Sequence, residues 1–155
     1  MVYPGSTGQN PLFGTSASSS STTGLHLGRS TTNIPTLFVS KSVGGTPALN
    51  VTATTALSAS AWHGVGVSIN EAGSSGFFWQ DGAYNQVAAA DTFNAAYAKP
   101  SAGAATHTLE VFDYGGNAAP AANLDRINCI AIFSAALTKA NLDAIFNAMR
   151  GRFGI

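Results

Sequence analysis

The stretch that decides the fold is RINCIAIFSAALTKANLDAIFNAMRGRFGI, residues 126–155. Its first part, RINCIAIF (126–133), is rich in apolar and β-branched residues over a length typical of a strand. Apolar residues fall on both faces of that strand, which predicts either a central position in a sandwich or a place under a covering helix. One short amphipathic helix then follows.

The helix is predicted to begin after Thr138, whose hydroxyl can accept a hydrogen bond from an unpaired backbone N–H of the first turn. Arg150 and Arg152 stand near its end, where the helix dipole favours positive charge. The apolar side chains recur at helical spacing and form one stripe: Leu142, Ile145, Phe146, Met149 and Phe153. This stripe must lie on a sheet or on a partner.

The middle of the chain is predicted to be β-structure. Asp81-Gly82 is a tight-turn signal, so residues 62–82 are expected to form a β-hairpin followed by a second turn. Short segments of strand-like composition are separated by Gly-rich turns: TLFVS (36–40), ALNVTAT (48–54), WHGVGVSIN (62–70), FFWQDG (77–82) and HTLEVFDYGG (107–116).

The first 24 residues differ from the rest in composition. They are rich in Gly, Ser and Thr, which predicts an extended arm that is flexible in a free monomer and is ordered by a partner. Tyr3, Leu12 and Phe13 are its candidate partner-binding anchors. The domain organisation expected from this shift is an arm over 1–24 and one domain over 25–155.

Composition excludes several classes of function. Only 9% of residues are charged and the formal net charge is zero, whereas nucleic-acid binding needs clustered basic residues. No apolar run approaches the roughly 18 residues that span a bilayer, and the N-terminus lacks the pattern of a signal peptide. The single cysteine, Cys129, rules out an intrachain disulfide. A charge-poor surface favours packing against neighbouring subunits, although a small soluble domain with hydroxyl-rich loops would share this composition.

Two motifs resemble those of laminin-G-like and pentraxin-like domains. SAWHGVGVSIN (60–70) followed by FFWQDG (77–82) is similar to their W-H-x-V…D-G hairpin, and 126–155 is similar to their final strand and helix. The resemblance implies an all-β fold: an antiparallel concanavalin A-like jelly-roll sandwich with one short C-terminal α-helix on its outside. It covers roughly 60–82 and 126–155; the usual opening strand is missing, and the irregular N-terminal arm matches nothing in the family.

No catalytic site is expected from the sequence. Glucanases of this fold class carry carboxylates at alternate strand positions, but Glu110 and Asp113 are three apart and would face opposite sides of a strand. No G-x-S-x-G motif occurs, and His26, His63 and His107 have no recognisable partners in sequence. The chain is therefore predicted not to be an enzyme and to need no cofactor.

The resemblance suggests two possible ligands, calcium and a sugar. Asp81, Asp113 and Asp125 are candidate calcium ligands, but none lies in the short acidic loop that usually binds calcium, and Asp81 is already explained as a turn former. No metal site is therefore predicted. Four aromatic residues in or beside loops are candidates for stacking on a sugar ring: Trp79, Tyr84, Tyr97 and Tyr114.

Domains of this kind without catalytic acids or calcium loops occur in bacteriophage virions. The expected function is accordingly a non-enzymatic virion structural protein, a capsid decoration protein made in the host cytoplasm and placed on the virion exterior. It would form a trimer or dimer and attach to a capsid or tail protein through its arm and jelly-roll surface. The alternative is a tail-fibre or receptor-binding module that recognises cell-surface glycan.

Overall fold

The computed structural model describes residues 1–5, 10–15, 24–40, 49–70, 75–85, 109–111 and 126–153. Within them the chain forms strands followed by one helix, α1 (Lys139–Arg150). The strands are β1 (Val2–Tyr3), β2 (Asn10–Gly14), β3 (Gly24–Arg29), β4 (Pro35–Ser40), β5 (Leu49–Thr52), β6 (Val65–Asn70), β7 (Ser75–Gln80), β8 (Ala83–Asn85), β9 (Glu110–Val111) and β10 (Arg126–Ile127).

The described strands pair in antiparallel sheets. The larger sheet has the order β5-β4-β3-β2-β9, a second has the order β6-β7-β8, and β1 pairs with β10. The expectation of an all-β chain that ends in one short helix is confirmed. The predicted hairpin is confirmed as well, because β6 pairs with β7 and a two-residue turn then leads into β8.

The core forms where apolar faces of these sheets meet. Leu37 is fully buried and lies opposite both Leu27 and Val51 in the larger sheet, so alternate residues of three strands present one apolar face. Phe78, 1% exposed, and its cross-strand partner Val67 bring the inner face of the second sheet to the same cluster. Both sheets therefore depend on one core.

The prediction of a free N-terminal arm is wrong for its described residues. Strand β2 lies inside the larger sheet, between β3 and β9, and Leu12 is only 3% exposed. Phe13 packs against the same core, and Val2 of β1 belongs to it. Leu12 and Phe13 therefore contact the chain's own interior, and residue 24 does not separate an arm from a domain.

Deleting residues 1–24 should abolish cooperative folding. The deletion removes a strand from within the larger sheet together with two core residues, Val2 and Leu12, and leaves the edges of β3 and β9 unpaired. Circular dichroism and thermal unfolding check this expectation. A truncated chain that still unfolds cooperatively near the wild-type temperature would restore the arm hypothesis.

The expected strand over 126–133 is also wrong beyond its first two residues. Only Arg126 and Ile127 pair, with β1, and residues 128–133 have no regular secondary structure. Ile132 is 70% exposed and Phe133 50% exposed, so neither lies in the core. The apolar pattern identified the residue types of a strand but not their burial.

The C-terminal helix follows its prediction closely. The Thr138 hydroxyl accepts from the Asn141 N–H, and the Asn141 side chain accepts from the Thr138 N–H, which forms a capping box. Phe146 is buried, and the rest of the predicted stripe is half-buried. The stripe packs on Trp79, which alternates with the core residue Phe78 and so lies on the outer face of the second sheet.

Helix docking depends on a glycine and a tryptophan. The Trp79 and Phe146 rings meet edge to face, 5.1 Å between centroids, and the Trp79 indole N–H donates to Asp143 of the helix at 2.7 Å. A Cβ on Gly64 would stand 2.7 Å from the Trp79 ring and 2.8 Å from the Phe146 ring. Only glycine leaves room for this contact.

Phe146→Ala should therefore destabilise the fold by about 3–5 kcal/mol, because it removes the ring that fills the space between α1 and the second sheet. Urea unfolding measures this cost. Asn147→Ala, at an exposed position of the same helix, is the matched control and should cost far less. A Phe146→Ala loss below about 1 kcal/mol would show that the helix is peripheral to stability.

Candidate functional site

The turn between β7 and β8 places a carboxylate against the start of the hairpin. Asp81 and Gly82 both have positive φ, 50° and 84°, as a two-residue hairpin turn requires. In this conformation Asp81 Oδ1 accepts from the Gly64 N–H at 2.7 Å, and Oδ2 lies 2.6 Å from Nδ1 of His63. The turn thus directs both carboxylate oxygens to residues 63 and 64.

The other side of the His63 ring faces Ser58. Nε2 lies 3.0 Å from the Ser58 hydroxyl oxygen and 3.0 Å from the Ser58 carbonyl oxygen. His63 is 8% exposed, whereas Ser58 is exposed to solvent. Ser58, His63 and Asp81 are therefore linked in the order of a Ser–His–Asp triad.

The expectation that His63 has no partner is wrong. The contact between His63 and Asp81 could have been predicted, because the W-H…D-G resemblance places both residues in one hairpin motif. Nothing in the sequence marked Ser58, because a contact over five residues in an irregular loop follows no periodic pattern.

The environment of His63 favours its protonated form. Burial of the ring lowers the pKa, but the hydrogen bond and negative charge of Asp81, together with the hydrogen bond to the Ser58 carbonyl, raise it more. The pKa of His63 therefore lies above its ordinary value of 6.5. In the protonated ring Nδ1–H donates to Asp81 and Nε2–H donates to Ser58, which connects the 57–61 loop to the β7–β8 turn.

Stability should fall as the pH rises past this pKa. Because the folded-state pKa of His63 is raised, its contribution is complete below about pH 6.5 and is lost as the pH passes through the folded-state value. Between about pH 6 and 9, the free energy of unfolding should fall more for wild type than for His63→Gln. Burial lowers the pKa of His26 to about 4, so His26 binds protons only in the unfolded state near its ordinary pKa and makes stability rise with pH there; this contribution is the same in both proteins and cancels in the comparison. Parallel profiles for the two proteins would contradict the assignment.

A cavity of about 540 Å³ lies between the sheets, α1 and residues 127–137. Its walls are mostly apolar and include Leu12 and Leu27 from the larger sheet, Val67 from the second and Ile145 from the helix. Four large hydrophobics are the most exposed among the described residues; Leu109, Ile132 and Phe133 line this cavity, and Val111 follows two residues after Leu109. We call these four residues the apolar patch.

Of the four candidate sugar-binding aromatics, the structure describes the side chain of Trp79 alone. Trp79 is 3% exposed and is covered by Phe146, so its ring is unavailable for stacking unless α1 moves. Tyr84 lies in β8, where its side chain is outside the described part of the structure, and Tyr97 and Tyr114 lie outside the described residues altogether.

A different aromatic cluster forms near the chain termini. The Trp62 ring lies 5.5 Å from that of Tyr3 and 5.1 Å from that of Phe153, and the Arg126 guanidinium lies 5.3 Å from the centre of the Tyr3 ring. Tyr3, predicted to bind a partner, thus packs within its own chain and joins β1 to the region after α1.

Of the three calcium candidates, the structure describes Asp81 alone. Asp81 uses both oxygens on His63 and Gly64, whereas Asp113 and Asp125 lie outside the described residues. Among the residues that the structure describes, no three His, Cys, Asp or Glu side chains form a metal-binding group. Within the same residues, no helix has the length and apolar character needed to cross a membrane.

Comparison with known proteins gives little further guidance. No protein-family model matches the chain, and no curated protein matches it. A solved structure of an S-layer domain-containing protein (residues 221–444) from Clostridium thermocellum is 18% identical, with a TM-score of 0.36. The match covers 90% of this chain and 64% of that one, so the chain spans less than two thirds of its length. A similarity at this level supports no argument about fold or function.

Proposed function

We propose that the chain is a structural subunit of a bacteriophage virion, a capsid decoration protein that binds neighbouring subunits through its apolar patch. The observation that carries the proposal is the exposure of Ile132 and Phe133, at 70% and 50%, which line an apolar cavity together with the exposed Leu109. Contiguous exposed apolar surface is typical of protein–protein contact sites.

Composition supports an assembly partner over a charged one. The chain has seven basic and seven acidic residues, and its pI is near neutrality. Long-range repulsion between copies is therefore weak, and the apolar patch can approach an equally uncharged surface closely. A homodimer or homotrimer on a capsid shell fits this chemistry.

The sandwich would supply the rigid base for that contact. We assign it to the concanavalin A-like jelly rolls, an assignment supported by the W-H…D-G hairpin, the antiparallel sheets with a shared core, and the helix on the outer face of β6–β8. Attachment is assigned to the apolar patch instead of an N-terminal arm, because β1 and β2 are part of the sheets. Trp79, the candidate for the glycan-binding alternative whose side chain is described, is covered by Phe146.

Replacing Ile132 and Phe133 together by Ser should convert an oligomer into a monomer, because it removes the apolar side chains most exposed to a neighbour. Sedimentation velocity measures the species present. The matched control is Ala144→Ser, at an exposed position of α1 that does not line the cavity. A wild type that is monomeric at every concentration, or a variant with the wild-type oligomer, would refute the role of the apolar patch.

The virion setting has a separate test. Immunogold labelling of particles purified from cells that produce the protein naturally should place it on the head surface. Label confined to tail tips would contradict decoration and support the receptor-binding alternative. Particles without label would refute the virion role itself.

A further inference from the structure

We propose that Ser58 is an activated nucleophile that accepts acyl groups from small carboxylic esters, with His63 as its general base and Asp81 as the residue that orients His63. This activity goes beyond the structural role proposed above and depends on different residues. The Ser58, His63 and Asp81 side chains do not line the apolar cavity.

The geometry meets the first requirement of such a site. A general base must lie within hydrogen-bond reach of the proton that it removes, and His63 Nε2 is 3.0 Å from the Ser58 hydroxyl oxygen. A third group must hold the base in the correct tautomer, and Asp81 Oδ2 accepts from Nδ1–H at 2.6 Å. Asp81 is itself held by the Gly64 N–H at 2.7 Å.

Accessibility meets the second requirement. Ser58 is exposed in the 57–61 loop, while the His63 ring behind it is almost fully buried. An ester can therefore reach the hydroxyl from solvent, and the buried ring holds a fixed position relative to it. The exposed setting of Ser58 suits small, soluble esters better than long apolar chains.

The protonation state of His63 determines whether the Ser58 hydroxyl is activated. When His63 is protonated, its Nε2–H donates to the carbonyl oxygen or to the hydroxyl oxygen, each at 3.0 Å, and the ring cannot act as a base. When that proton is lost, Nε2 has a lone pair, to which only the Ser58 hydroxyl can donate. Among the described residues, Asp81 is the charged group in contact with the ring. Reactivity should thus increase with pH.

The chemical step balances with the residues present. As Ser58 Oγ attacks the ester carbonyl carbon, its proton passes to His63 Nε2, and a tetrahedral intermediate forms. The carbon–oxygen bond to the alcohol then breaks, and the leaving oxygen takes the proton from Nε2. Water then attacks the acyl carbon as it gives a proton to Nε2. The bond between the acyl carbon and Ser58 Oγ breaks, Oγ takes the proton from Nε2, and the carboxylic acid leaves.

The test is labelling of the full chain with a fluorophosphonate probe. The Ser58 oxygen would form the new bond to phosphorus as fluoride leaves and His63 takes the proton. Mass spectrometry should show Ser58 labelled about 100-fold faster than the nearby exposed Ser60, the minimum expected from general base catalysis. The rate should increase as the pH is raised from about 5 to 9.

Variants separate activation from simple exposure. Ser58→Ala should remove the label, His63→Gln should reduce it about 100-fold, and Ser134→Ala, at another exposed serine, should leave it unchanged. Circular dichroism establishes that each variant is folded; if His63→Gln is not, the pH profile of wild type decides. Equal labelling of Ser58 and Ser60 at every pH, or a Ser58 rate that does not depend on pH, would overturn the proposal.

Discussion

The arrangement of the hairpin, the 57–61 loop and the helix depends on the carboxylate of Asp81. One oxygen holds the His63 ring and the other holds the Gly64 N–H, so a single side chain fixes two consecutive residues at the entrance to β6. These groups are largely buried, and losing their acceptor would leave unpaired donors at a cost of about 1–3 kcal/mol each. The left-handed turn at Asp81 and Gly82 gives the carboxylate this position.

The same residue links the turn to the outer layer of the fold. Gly64, held by Asp81, is the point at which the Trp79 and Phe146 rings approach the backbone most closely. A shift of the backbone here would press on both rings and move α1 from its sheet. The hydrogen bonds around His63 and the packing of the helix consequently both depend on the backbone position of residues 63–64.

Sequence predicted the parts of this structure that short-range physics determines. The Thr138 cap, the stripe around Phe146 and the Asp81-Gly82 turn each depend on residues a few positions apart, and all three are present. Strand β2 was missed because Pro11 and Gly14 disfavour a strand within a sheet. The structure accommodates Pro11 at a register shift between Pro11 and Phe13, where the regular ladder is interrupted.

Burial was harder to predict than element type. The apolar residues of 128–133 are of types that can enter a core. Whether they are buried depends on which other elements the chain topology places against them, and Ile132 and Phe133 remain exposed. The contact of Ser58 with His63 could not be predicted from the sequence for a related reason. It requires the loop to fold back on the hairpin, and no periodicity encodes that return.

The two surfaces proposed to act occupy different parts of the molecule. Leu109 and residues 132–133 of the apolar patch line the cavity. Ser58 lies in the loop before β6 and is not part of the cavity wall. A neighbouring subunit could therefore cover the apolar patch and leave the serine open to solvent. Assembly and acyl transfer are therefore compatible in one chain. Assembly would bury the apolar patch, whereas acyl transfer requires only that Ser58 stay accessible to solvent.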